Sequence, residues 1–143
     1  MRYIVATDGS KASLKAAQFL VQHLCPGPED TVFVVYVFPL PSDPEFYASV
    51  VSLPTDASDE RVAQVARPIL TETKKLLAGL DSRLEDVVLV GDPAREIIVF
   101  ATTMRVDLVV AGTHGRSLAK ELCLGSVSSA LAHLAPCSVL TVR

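Results

Sequence analysis

Val106-Asp107-Leu108-Val109-Val110-Ala111-Gly112-Thr113-His114-Gly115 is an apolar, β-branched run that stops on glycine. After nine more residues the chain reads Gly125-Ser126-Val127-Ser128 and enters an apolar-periodic stretch over 127–134. Strand, glycine-rich loop and helix in that order form one unit of an α/β fold. Glycines let a backbone approach a ligand where any Cβ would interfere. A helix start presents free N–H groups and a partial positive charge. The two surfaces together suit a phosphate chain. Local explanations exist for each glycine: Gly125 as the residue ending a short helix with Ser126 capping the next, Gly112 as a strand-end turn. Neither accounts for four glycine or serine positions gathered after one strand, so the chain reads first as a nucleotide binder.

Working outward, strand-like and helix-like segments alternate. The run 3–7 is β-rich and stops at Asp8-Gly9-Ser10, a turn that also supplies a helix cap. Leu14, Ala17, Leu20, Val21 and Leu24 recur at helical spacing before Pro26-Gly27-Pro28. Residues 31–38 are continuously apolar, as in a strand covered on both faces. The stretch 40–58 carries three prolines and no clear period, and reads as a loop or a short helical piece. A helix is expected over 59–80, bent at Pro68. A third strand, 86–90, leads into Gly91-Asp92-Pro93, a cap followed by proline at the first helical position. Ile97, Ile98, Ala101 and Met104 form the buried stripe of the next helix. The fourth strand is 107–111, the last helix 127–135 and the final strand 138–142. This order predicts one domain over 1–143: a three-layer α/β/α sandwich on a five-stranded parallel sheet.

Composition agrees with a single globular domain, half hydrophobic and one-fifth charged. A net charge of −3 offers no reason to expect nucleic-acid binding. The longest apolar run, 32–38, is far short of the roughly 20 residues that span a bilayer, and no secretory leader pattern opens the chain. No membrane partner and a cytoplasmic location are expected. Cys25, Cys123 and Cys137 are odd in number, without a Cys-x-x-Cys pair or metal-ligand spacing, and read as buried or idle thiols.

In open α/β sheets ligands bind beyond the carboxyl ends of strands, where strand order reverses. A strand order 3-2-1-4-5 would make the 7–10 turn and the glycine-rich loop neighbours at that crevice. Backbone groups at Gly112, Gly115, Ser126 and Val127 would then hold phosphates, with the hydroxyls of Ser126 and Ser128 and the mobile charge of Arg116 helping. Asp8 would accept a ribose hydroxyl or assist a phosphate-bound Mg²⁺; on spacing alone it equally caps a helix or builds an Asx-turn. Val37, at the end of strand two, offers backbone and an apolar face to a base. Arg116 otherwise reads as a solvated loop residue and His114 as an exposed loop histidine, while His23 and His133 fall in helical segments.

The spacing Gly112-x2-Gly115-x9-Gly125-Ser126 resembles the ATP-binding signature of the universal stress protein family. The likeness extends to Val5-Ala6-Thr7-Asp8-Gly9-Ser10, to Gly91-Asp92-Pro93-Ala94 and to Ala135-Pro136-Cys137-Ser138-Val139-Leu140-Thr141-Val142. It departs at 40–58 and at Ser138, where the family often has proline. The resemblance implies a Rossmann-like 3-2-1-4-5 sheet. It also implies an adenine-nucleotide site in which Ala6, Thr7, Asp8 and Val37 hold the adenosine. Gly112, Thr113, His114, Gly115, Arg116, Gly125, Ser126, Val127 and Ser128 would hold the phosphates, with Mg²⁺ or Mn²⁺ bridging them. It further suggests a homodimer through strand 138–142, whose Val139, Leu140 and Val142 form an apolar edge.

Three functions follow: a nucleotide-dependent homodimeric switch in stress adaptation, a slow ATPase or phosphotransferase, or a nucleotide-free dimeric scaffold. Binding leads. The chain lacks the Gly-x4-Gly-Lys-[Ser/Thr] loop and an obvious residue to orient water. Nor does Thr7-Asp8-Gly9-Ser10 reproduce the Ser-Gly-Gly-x-Asp-Ser loop of the related pyrophosphatase-type folds.

Overall fold

The computed structural model describes residues 1–40, 55–114 and 125–143, with side chains of the second segment from residue 60 onward. Among these residues five strands alternate with four helices. They are β1 Arg2–Ala6, α1 Lys11–Phe19, β2 Thr31–Pro39, α2 Thr55–Leu77, β3 Arg83–Gly91, α3 Pro93–Met104, β4 Leu108–Gly112, α4 Ser126–Leu134 and β5 Ser138–Val142. The strands form one sheet in the order β3-β2-β1-β4-β5, and every pairing is parallel. The expected topology is therefore the observed one. Order reverses between β1 and β4, whose ends are held side by side by the Ala6–Ala111 pair.

Alternation along the strands divides the core in two. Tyr3, Val5, Val32, Val34, Tyr36 and Val110 face α1 and α2, where Ala16, Ala17, Leu20, Ile69, Leu70 and Leu77 complete one cluster. Ile4, Phe33, Val35, Val37, Val109 and Ala111 face the other way and pack on Ile97, Ala101 and Leu131 of α3 and α4. Covering both faces explains why β2 is apolar at every position from Val32 to Val37. Burying each such side chain contributes about 1.5–3 kcal/mol relative to exposure.

Several boundaries differ from expectation for identifiable reasons. β3 begins at Arg83, three residues earlier than its apolar run. It is an edge strand whose first residues, Arg83-Leu84-Glu85, show no in–out alternation, which begins only at Asp86. α2 starts at Thr55 and runs through Pro68 to Leu77. Pro68 is exposed, so the carbonyl it leaves without a helical partner lies on the solvent side. After Phe19 the first helix widens into a π-type turn, Leu20–Leu24, closed by Cys25 N–H on Leu20 O at 2.9 Å. Cys25 is left-handed there, with φ 46°. Part of the irregular stretch 40–58, residues 41–54, lies outside the described residues.

Candidate functional site

Two strand ends meet at the switch point, and each is followed by a helix. On the β1 side, Thr7 extends the ladder through its N–H to Val35 O (2.9 Å). Its side chain is buried on the α1/α2 side of the sheet. Gly9 then takes φ 75°, a left-handed turn that favours glycine. Ser10 N–H donates to Asp8 Oδ1 at 2.9 Å, an Asx-turn. The N-cap of α1 is Ser10, whose Oγ accepts from Ser13 N–H at 3.2 Å. Asp8 therefore shapes the turn and leaves capping to Ser10.

Beneath this turn lies a chain of buried hydroxyls that the sequence reading missed. Thr73 of α2 donates to Ile69 O at 2.9 Å, and its Oγ1 lies 2.9 Å from Thr7 Oγ1. Thr7 Oγ1 in turn accepts from Gly9 N–H at 3.3 Å and lies 3.3 Å from Ser13 Oγ. Thr73 was visible as a polar residue in an otherwise apolar helical stripe with Ala66, Ile69, Leu70 and Leu77. Thr7 thus offers a ligand its backbone, because its hydroxyl points into the core.

On the β4 side, Thr113 N–H donates to Val142 O (2.9 Å) and Thr113 O accepts from Gly125 N–H (2.7 Å). The returning chain is thereby docked beside the strand it left. Ser128 reinforces the closure: buried, its Oγ donates to Thr113 O (2.9 Å) and lies 3.0 Å from Gly125 O. Its hydroxyl clamps the loop ends and is not available to donate outward. A Cβ on Gly125 would lie 3.0 Å from Thr113 O.

The N-terminus of α4 stands apart chemically. α1 and α3 carry side-chain caps, Ser10 on Ser13 N–H and Asp92 on Arg95 N–H. α4 starts from Gly125, which supplies no side chain to cap it. The first bond of its ladder is Ser129 N–H to Gly125 O (2.9 Å), so the N–H groups of Ser126, Val127 and Ser128 precede that ladder. Ser126 is N1 of the helix, exposed, and not its cap.

Gly112 is glycine for a reason the sequence did not reveal. A Cβ there would lie 2.6 Å from the Ala12 carbonyl carbon, so β4 and α1 approach too closely for any side chain. His114, expected as an exposed loop residue, is half-buried. Its Nδ1 is 3.0 Å from Thr113 Oγ1, and its Nε2 is buried with no hydrogen-bond partner among the described residues. Val37 packs its side chain into the α3/α4 cluster and presents backbone at the end of β2. Ala6 is half-buried beside Ala111. Gly115, Arg116 and Cys123 lie outside the described residues. Among the described residues no group of three His, Cys, Asp or Glu is gathered to hold a metal, and no helix is long and apolar enough to cross a membrane. Cys25 is exposed; Cys137 is half-buried, and desolvation, with Asp107 nearby, pushes its thiol pKa up. His23 and His133 are exposed on their helices.

The model of the universal stress protein family matches residues 1–143. The chain belongs to the universal stress protein family. Universal stress protein YxiE of Bacillus subtilis is 32% identical over 146 residues, covering 99% of this chain and 98% of YxiE. Universal stress protein MJ0531 of Methanocaldococcus jannaschii is 29% identical over 142 residues, covering 99% and 81%. Among solved structures, MJ0577 superposes with a TM-score of 0.78 at 24% identity, covering 99% of this chain and 94% of that one. A universal stress protein in complex with cAMP gives 0.64 at 23%, covering 100% and 96%. The Arabidopsis thaliana family protein At3g01520 with AMP bound gives 0.62 at 16%, covering 99% and 90%. These likenesses establish the shared fold.

Proposed function

We propose that this universal stress protein binds an adenine nucleotide, ATP with Mg²⁺ or Mn²⁺, at the crevice between β1 and β4, and acts in stress adaptation as a nucleotide-dependent switch. The observation that carries this reading is the uncapped start of α4 at the switch point. Where α1 and α3 satisfy their first amides with a side chain, α4 starts on glycine beside the end of β4. Donors in that position attract phosphate oxygens, helped by the positive end of the helix dipole. The buried Nε2 of His114, without a partner among the described residues, adds a polar atom beside β4. Family relatives solved with AMP or cAMP support an adenine nucleotide as the ligand class.

In this reading Asp8 and the strand ends at Ala6, Thr7 and Val37 hold the nucleoside, and the segment from Gly112 to Ser128 takes the phosphates. Among the described residues one carboxylate, Asp8, stands at these strand ends, too few ligands for a resident divalent ion, so the ion would arrive with the phosphates. Binding is favoured over efficient turnover because no lysine-bearing phosphate loop is present. The half-buried β5 side chains Val139, Leu140 and Val142, on a terminal strand of the sheet, support a homodimer through that strand. A cytoplasmic site of action is part of the same reading.

Thermal melts of the purified protein with increasing Mg²⁺-ATP test it. Stabilisation should grow as RT ln(1 + [L]/Kd), and released small molecules should include an adenine nucleotide. Absence of both points to the scaffold. Turnover above background that is abolished by Asp8→Ala would make the protein an ATPase. Sedimentation as a monomer would remove the dimer from the proposal.

A further inference from the structure

We propose that Thr73, on the opposite side of the sheet layer from the phosphate donors, is a positioning residue for the nucleotide site, acting through Thr7 on the 8–10 turn. The inference rests on the nucleotide reading above and names a residue of α2 that the family's glycine signature does not include.

Counting hydroxyl protons gives the direction of the effect. Thr73 directs its proton to Ile69 O, an intrahelical bond of 2.9 Å. Ser13 directs its proton to Ser10 O, also at 2.9 Å. Each hydroxyl has one proton to donate. The 2.9 Å contact between Thr7 and Thr73 is therefore made with the proton of Thr7, and Thr73 accepts. With its proton directed at α2, Thr7 turns a lone pair toward Gly9 N–H. That bond tethers the left-handed Gly9, and with it the Asx-turn in which Asp8 sits. All three hydroxyl residues are enclosed: Thr73 is 0% exposed, Ser13 4% and Thr7 5%. Water cannot replace a missing partner there. Removing the acceptor on α2 frees the Thr7 proton to seek another oxygen and releases Gly9.

Thr73→Val keeps the shape and removes the hydroxyl, the acceptor for Thr7 together with the donor to Ile69 O. Two readouts separate positioning from simple packing: hydrogen exchange of the Gly9 and Ser10 amides in nucleotide-free protein, and Kd for Mg²⁺-ATP by calorimetry. Thr73→Val is expected to speed exchange at those amides ~10-fold and to weaken ATP ~10-fold, the size of one lost buried hydrogen bond. Thr73→Ser, which restores the oxygen, should recover both. The double variant Thr7→Val with Thr73→Val removes donor and acceptor together, so thermal stability should return while amide exchange stays fast. That variant also keeps the test informative if Thr73→Val alone does not fold. Lys74→Ala, partly exposed on the same helix, should move neither readout.

Unchanged exchange at Gly9 and Ser10 in Thr73→Val overturns the proposal whatever the nucleotide does. Faster exchange with an unchanged ATP Kd also overturns it, because the turn would then not matter to the ligand. A wild-type protein that binds no nucleotide is a different failure: it overturns the reading of the site, and the positioning role for binding with it.

Discussion

Two turns in this protein are built from the same parts and stand in different places. After β1, Gly9 has φ 75° and Ser10 caps α1; after β3, Gly91 has φ 147° and Asp92 caps α3, with Pro93 at the first helical position. By local chemistry both are strand-to-helix turns with a positive-φ glycine and a side-chain cap. The first follows an interior strand at the point where sheet order reverses, and stands on the Thr7–Ser13–Thr73 hydroxyls. The second follows an edge strand, and its Asp92 accepts from Arg95 N–H at 2.9 Å much as Asp8 accepts from Ser10 N–H at 2.9 Å. The difference teaches that a cap and a glycine make a turn, whereas position in the sheet is what would make one of them the proposed site.

The largest expected effect breaks the symmetry through the two carboxylates. Asp8→Ala should weaken Mg²⁺-ATP by roughly 10- to 100-fold, the range of a hydrogen bond to a charged group, and Asp92→Ala should leave Kd unchanged. Calorimetric titration of both variants checks this, and equal losses would erase the distinction between the turns.

The glycines come next. Gly9→Ala and Gly91→Ala each force a side chain into positive φ and should cost on the order of 1–3 kcal/mol in urea unfolding. At Gly91 the new Cβ would also meet Glu96 Oε1 at 2.8 Å, a flexible side-chain end that can move aside. Only Gly9→Ala should also reduce nucleotide affinity. If Gly91→Ala did so too, the edge turn would belong to the site.

Caps are the third comparison. Ser10→Ala and Asp92→Ala should each lower stability by about 1 kcal/mol, read from denaturant midpoints without nucleotide. Similar values would show that the turns are energetically alike and differ only in what surrounds them.

The smallest effect is at the edge strand itself. Lys74 Nζ and Asp86 Oδ2 pair at 2.7 Å between α2 and β3, both partly exposed. Exposed pairs contribute about 0–1 kcal/mol, so Lys74→Ala should shift the midpoint by less than about 0.5 kcal/mol. A larger loss would mean that this edge contributes more to the fold than its exposure suggests.

Much of the fold was legible in the chain because apolar periodicity is a local record of burial. Residues 31–38 announced a strand covered on both faces, and Gly91-Asp92-Pro93 announced a helix start. The early part of β3, before Asp86, was not legible, since Arg83-Leu84-Glu85 carries two charges and no apolar run, and pairing with β2 recruits it. Gly112 reads from sequence as a site of ligand approach or a turn, while its constraint in the fold is the Ala12 backbone across the layer. Loop composition alone suggested an exposed His114, which the fold half-buries. Ser128 was read for its hydroxyl, which the structure turns inward to Thr113 O.

The sequence by itself determined the alternation of strands and helices, the strand-end glycines and the residue types available for a phosphate site. Those properties depend on neighbours within a few positions. Tertiary structure alone decided which helix start is left without a side-chain cap beside β1, why Gly112 admits no Cβ, and that Thr73, 66 residues from Thr7, joins its hydroxyl. Such contacts depend on which elements the sheet brings together, and hydrogen bonds between distant residues leave no period in the chain.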